Sequence, residues 1–254
     1  MKIVIPSFKR PKIIKEKTLT FLQKNGILPS EIDIVIEDED MMEEYIKSLG
    51  MRYRFIVSGT KGVGEKRNFI RSYYREETDL EEIVCFDDDI DTITDIDKPL
   101  NLRQLITMSF IICRQKDICL WGASPYHNTF FMKDSPEITY NLKYISGAFF
   151  GLVIDRTKYM LHTDIDHGED FQFSMEHYLR DKGVLRWNHV YVSTKYFEEQ
   201  GGICESLGGL ENRKIQMIEN SKYLSERYEG MCSLKIKDYG YDIKLNPYFK
   251  IKID

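Results

Sequence analysis

The constraint that narrows the fold most is an alternation of hydrophobic periods through the first half of the chain. Short β-rich runs at Ile3–Ile5, Ile32–Ile36, Arg54–Val57 and Ile83–Phe86 are separated by helical patterns at Thr18–Lys24, Met41–Leu49 and Glu65–Tyr74. Strands joined through helices of this length run parallel and need cover on both faces, which predicts a doubly wound α/β sheet. Such sheets take ligands at the carboxyl ends of their strands. Here those ends carry Ser7-Phe8-Lys9-Arg10, Glu37-Asp38-Glu39, Ser58-Gly59 and Asp87-Asp88-Asp89, so one rim of the sheet collects polar and charged groups.

The second half is less regular. A helix is expected over Leu102–Lys116, an apolar run at Cys119–Trp121, and a long β-looking run over Tyr144–Ile154 broken by Gly147 and Gly151. A helix follows from Glu169 to Asp181, stopped by Gly183, and then a strand at Val190–Val192. The glycines from Gly201-Gly202 to Gly208-Gly209 read as a loop near a ligand, and Tyr239–Asp254 as an edge strand or arm. No repeat or linker interrupts the 254 residues, whose 42% hydrophobic content can fill one core. No stretch approaches the roughly 20 apolar residues of a membrane span, which predicts a soluble, cytoplasmic protein without a membrane partner. The five cysteines lack CxxC spacing and read as reduced, buried thiols. A net charge of −5 argues against broad adhesion to nucleic acid, while leaving room for a local basic strip.

Three motifs carry chemistry. In Phe86-Asp87-Asp88-Asp89-Ile90-Asp91 an apolar strand runs into three carboxylates; in extended chain Asp87 and Asp89 share a side and suit a hard divalent cation, though an acidic turn is the plain alternative. Gly59-Thr60-Lys61-Gly62-Val63-Gly64-Glu65-Lys66-Arg67-Asn68 fails as a P-loop because Glu65 intervenes, yet Lys66 and Arg67 at a helix start could neutralise a diphosphate; a solvated basic helix explains them as well. In Asp164-Ile165-Asp166-His167-Gly168-Glu169-Asp170-Phe171 the acid pair either caps a helix or supplies a general base. His127, His162 and His177 show no ligand spacing.

Taken in order, the Pro6-to-Pro11 loop, Gly62 to Asn68, Asp87–Asp89, Gly147-Ala148 and Glu169-Asp170 resemble the nucleotide-sugar glycosyltransferases of the GT-A fold over about residues 1–200. Within that fold the chain is most similar to the glycosyltransferases associated with TET/JBP-type thymine and methylcytosine hydroxylases, known from phages and the base J pathway. The Pro6-Ser7-x-Lys9-Arg10-Pro11 start, Arg67-Asn68, Gly168-Glu169-Asp170, Gly201-Gly202-Ile203 and Arg213 carry this closer likeness.

The resemblance implies one domain over residues 1–254, with a nucleotide-sugar half (1–100) and an acceptor half (101–254). It implies metal-dependent, inverting transfer from a UDP-sugar to the hydroxymethyl group of 5-hydroxymethyluracil or 5-hydroxymethylcytosine in DNA, in a host cytoplasm if phage-encoded. Pro6, Ser7, Lys9, Arg10, Glu37, Lys66, Arg67, Asp87 and Asp88 would bind the donor, and Asp87 and Asp89 would hold Mn²⁺ or Mg²⁺. Asp170 would be the catalytic base, with Gly147, Glu169, Gly201, Gly202 and Arg213 on the acceptor side. Many GT-A enzymes place a histidine metal ligand after the strand that follows the acidic helix; here Ser193-Thr194 stands there, with His189 on the wrong side. A saccharide or protein acceptor, or a non-catalytic nucleotide-binding protein of the same fold, are the competing readings.

Overall fold

The computed structural model describes residues 1–194, 209–237 and 240–251. Its first half follows the alternation closely: β1 (Lys2–Pro6), α1 (Pro11–Glu16), α2 (Thr18–Lys24), β2 (Ile32–Ile36), α3 (Glu39–Leu49), β3 (Arg54–Val57), α4 (Val63–Glu76) and β4 (Glu82–Phe86). The strands lie in the order β3-β2-β1-β4, all parallel, so their carboxyl ends share one rim. Alternate side chains separate to the two faces. Ile3, Ile5, Ile34 and Phe86 pack with α2 and α3, whereas Val4, Val35 and Cys85 pack with Ile70 and Tyr74 of α4.

The second half comprises β5 (Ile90–Asp95), α5 (Leu102–Lys116), β6 (Leu120–Ser124), α6 (Thr129–Lys133), β7 (Ile138–Thr139), β8 (Phe149–Val153), α7 (Glu169–Asp181), β9 (Leu185–Thr194), α8 (Leu210–Arg227), β10 (Cys232–Lys237) and β11 (Gly240–Leu245). It extends the sheet as β4-β8-β6-β9-β5, with β8 antiparallel to both neighbours and β5 and β7 antiparallel to β9. The sheet is therefore largely parallel and mixed only beyond β4.

Three local expectations are corrected. Only Phe149–Val153 of the run Tyr144–Ile154 is strand, because the preceding backbone bonds to side chains instead: Ile145 N–H donates to Ser174 Oγ (3.0 Å) and Gly147 N–H to Asp170 Oδ2 (3.1 Å). Helix α7 ends on Lys182, which itself takes the left-handed conformation (φ 59°), while Gly183 is needed for space, since a Cβ there would lie 2.8 Å from Ile118 Cδ1. The C-terminal strand β11 pairs with β10 in a separate two-stranded ribbon and does not edge the main sheet. No described helix is long and apolar enough to cross a membrane. Cys85, Cys113, Cys119 and Cys232 are free and buried, and Cys204 lies outside the described residues.

Candidate active site

The rim is organised by buried charge. Ser7, just past β1, places its hydroxyl 2.6 Å from Tyr45 Oη and donates to Asp88 Oδ2 at 2.5 Å. Arg10 Nη1 bridges Asp88 Oδ1 and Asp89 Oδ2, each at 3.1 Å. Thr194 at the end of β9 donates to Asp89 Oδ1 at 2.8 Å. Burial pushes Asp88 up to about 6 despite the opposing pull of Arg10. Lys66, also buried, sends Nζ toward the Ser7 carbonyl (3.4 Å); burial lowers its pKa against the attraction of Glu37 and Asp88.

Arg67 is the hub that joins the two halves. Its guanidinium bonds Glu169 Oε1, Asp87 Oδ1 (3.0 Å) and the Gly147 carbonyl (3.0 Å). Burial works against its charge, but Glu169, Asp87 and Asp170 outweigh that and raise its pKa. The same burial raises Asp87 and Glu169, which share one cation and repel Asp170. Gly147 permits the close approach, since a Cβ there would sit 1.9 Å from Arg67 Nη1.

Asp170 lies in the first turn of α7 and faces this cluster. Its Oδ2 accepts from Tyr144 Oη (2.5 Å) and Gly147 N–H (3.1 Å), and Oδ1 from Phe171 N–H (3.0 Å). Tyr144 in turn stacks on Phe171 with centroids 4.1 Å apart. Arg67, Arg71, Ile145, Gly147, Phe150, Glu169, Asp170 and Phe173 line one cleft. A carboxylate fixed by three donors and lining a cleft is arranged to accept a proton from a bound hydroxyl.

The amino end of α4 is already occupied. Asp166 Oδ1 accepts from Gly64 N–H at 3.0 Å, and a Cβ on Gly62 (φ 84°) would lie 2.4 Å from the same oxygen. The glycines thus admit a carboxylate of this chain at the helix start, where the sequence suggested a diphosphate.

The donor set is consistent with a divalent cation. Asp87, Asp88, Asp89, Glu169 and Asp170 crowd around Arg10, Lys66 and Arg67, leaving an excess of negative charge that adds to burial in raising Asp87, Asp88 and Glu169. Asp87 and Asp89 are the residues that would supply hard oxygen ligands. Among the described residues no group of three or more His, Cys, Asp or Glu side chains is set to hold a metal, so the remaining ligands would be diphosphate oxygens and water.

Comparison with known proteins decides the family. The model of the TET-associated glycosyltransferases matches residues 1–202. The chain belongs to that family. No curated protein sequence matches it. In fold, the glycosyltransferase is similar to glucosyl-3-phosphoglycerate synthase from Mycobacterium tuberculosis, solved with Mn²⁺, UDP and glucosyl-3-phosphoglycerate: TM-score 0.55, 12% identity, covering 97% of this chain and 86% of that one. The same synthase with Mg²⁺ and UDP gives 0.55 at 11% identity over 97% and 86%. A further mycobacterial protein gives 0.54 at 9% over 97% and 83%. These likenesses establish a GT-A-type α/β fold.

Ser7, Arg10, Lys66, Arg67, Asp87, Asp88, Asp89, Gly147, Glu169 and Asp170 of the glycosyltransferase all meet at this rim. Pro6 ends β1, and Lys9 takes a left-handed conformation (φ 54°) with Nζ 5.2 Å from the Phe8 ring centroid. Glu37 is half-buried after β2 and acts on Lys66. Arg213 on α8 is half-buried and close enough to His167 to lower its pKa beyond the effect of burial. Gly201 and Gly202 lie outside the described residues. His189 is held between Asp97 Oδ2 (2.5 Å) and the Ser135 carbonyl (2.8 Å). His177 is buried against Asp181 at 3.2 Å, whereas His127 and His162 are exposed. Sequence reasoning gave no role to Tyr45, Tyr144, Asp166 or Thr194, each of which is brought in by a long-range contact.

Proposed function

We propose that this glycosyltransferase moves a hexosyl or pentosyl group from a UDP-sugar to the hydroxymethyl group of 5-hydroxymethyluracil or 5-hydroxymethylcytosine in DNA, with inversion and with Mn²⁺ or Mg²⁺. The observation that carries the reading is the meeting of Asp170 in one cleft with Arg67, itself paired to Asp87, from segments far apart in sequence. The likeness to a synthase solved with UDP and Mn²⁺ supports the donor and the cation. The family's association with TET hydroxylases, whose chemistry leaves a hydroxymethyl group, supports the acceptor.

The Asp170 carboxylate takes the proton of the acceptor hydroxyl, whose oxygen forms the new bond to the anomeric carbon. The bond from that carbon to the diphosphate breaks and its electron pair leaves with UDP, inverting the centre in a single displacement. Asp87 and Asp89 would hold the cation, which when bound would supply Lewis-acid neutralisation of the diphosphate. Lys66 and Arg10 add fixed positive charge there. Arg67 keeps Glu169 and Asp87 in place, and Gly201, Gly202 and Arg213 would border the acceptor.

The test is incubation with UDP-sugars, Mn²⁺ and DNA containing either hydroxymethylpyrimidine, followed by nucleoside mass spectrometry. A sugar-sized mass gain on the modified base is expected. Transfer to a saccharide or protein with no gain on any DNA would overturn the acceptor assignment.

A further inference from the structure

Two cations near the cleft have no anionic counterpart among the described residues. Arg186 on β9 is only 7% exposed, yet among the described residues neither it nor Lys143 forms an ion pair, and no carboxylate acts on either one electrostatically. In a chain of net charge −5 this is informative, because a buried cation is ordinarily paired. The guanidinium is held from behind. Its Nε donates to Asn188 Oδ1 (2.7 Å), and Asn188 Nδ2 is fixed by the Pro136 carbonyl (2.8 Å) and Thr139 Oγ1 (3.1 Å). The terminal nitrogens have no hydrogen-bond partner among the described residues and are not sealed from solvent.

The pair lies on the acceptor side of the same sheet face as the cleft. Arg186 is in register with Gly122 on β6, and a Cβ on Gly122 would meet Ile145 Cγ2 at 2.5 Å. Ile145 itself lines the cleft with Asp170. Lys143 directly precedes Tyr144, whose hydroxyl bonds Asp170. Tyr126, 63% exposed and two residues past β6, lies near Arg186.

We propose that Arg186 and Lys143 form a phosphate-binding site for the acceptor, taking a phosphodiester of the DNA strand while its hydroxymethyl group lies at Asp170. A pinned guanidinium with unused terminal donors beside a lysine matches phosphate geometry. The assignment rests on the DNA reading above, and the experiment separates the two.

Inorganic phosphate is titrated against the wild type, Arg186→Gln and Lys143→Gln in thermal unfolding; the half-exposed Lys143 keeps the test sound should Arg186→Gln fold poorly. Binding of a hydroxymethyluracil duplex is then followed by anisotropy as NaCl rises. Phosphate should raise the wild-type melting temperature and lose that effect in each variant. DNA affinity should fall about tenfold, and the slope of log K against log salt should shrink by about one per variant. Equal phosphate shifts in all three proteins would overturn the site. Phosphate shifts lost in the variants with unchanged DNA slopes would overturn DNA as its occupant. Failure of the wild type to glycosylate any DNA would instead sink the parent reading, while the phosphate titration still judged the pair.

Discussion

Gly147→Ala tests the hub directly, because the backbone of Gly147 is in an ordinary conformation and only space is altered. The added Cβ would stand 1.9 Å from Arg67 Nη1 and 2.5 Å from Cζ and Nη2. Ordinary contact is about 3.5 Å, so the guanidinium or the loop must retreat by about 1.6 Å. A retreat of that size carries the 3.0 Å bonds from Arg67 to Asp87 and to the Gly147 carbonyl beyond hydrogen-bond reach. Breaking a buried pair of this kind costs about 3–5 kcal/mol. Should the loop move instead, the Gly147 N–H leaves Asp170, and a displacement of about 1 Å in a reacting group costs on the order of 10²-fold in rate. Urea unfolding and single-turnover transfer measure the two effects. A variant within about 1 kcal/mol of wild type that also kept full turnover would refute the hub, since so small a loss is what a substitution outside any buried network produces.

Asp170→Asn should lower transfer by about 10²–10⁴-fold while UDP affinity, read by calorimetry, stays within a few-fold; full turnover would remove the base assignment. Tyr144→Phe deletes one donor to Asp170 and should lower kcat by about tenfold, with little change in KM for the donor. Asp166→Ala should cost about 1 kcal/mol by freeing the Gly64 N–H, measured as a lower melting temperature. The metal-free protein should lose stability as pH rises from about 6.5 to 8. Asp87 and Glu169 have folded pKa values raised by burial, so their contribution is full below the unfolded carboxylate range and the last of it is lost as pH passes through the folded values in that window. Burial holds His177 neutral across that window, and Glu169→Gln should flatten the profile in differential scanning calorimetry.

The sequence by itself determined the strand and helix alternation of residues 1–86 and the helix bounds of Leu102–Lys116 and Glu169–Asp181, because hydrophobic period and local caps act within a few residues. It also marked Asp87–Asp89, Lys66-Arg67 and Glu169-Asp170 as chemistry-bearing, since charges beside apolar runs stand out locally. The partition of those charges was decided only in three dimensions. That Asp88 turns to Ser7 and Arg10, that Arg67 binds Glu169 and Asp87, and that Asp166 fills the start of α4 are contacts between residues 20 to 102 positions apart. The interruption of Tyr144–Ile154 has the same origin. Its residues favour a strand, but the backbone of Ile145 and Gly147 finds partners on α7, and a hydrogen bond to a side chain brought close by the fold outweighs an intrinsic β preference worth at most about 1 kcal/mol.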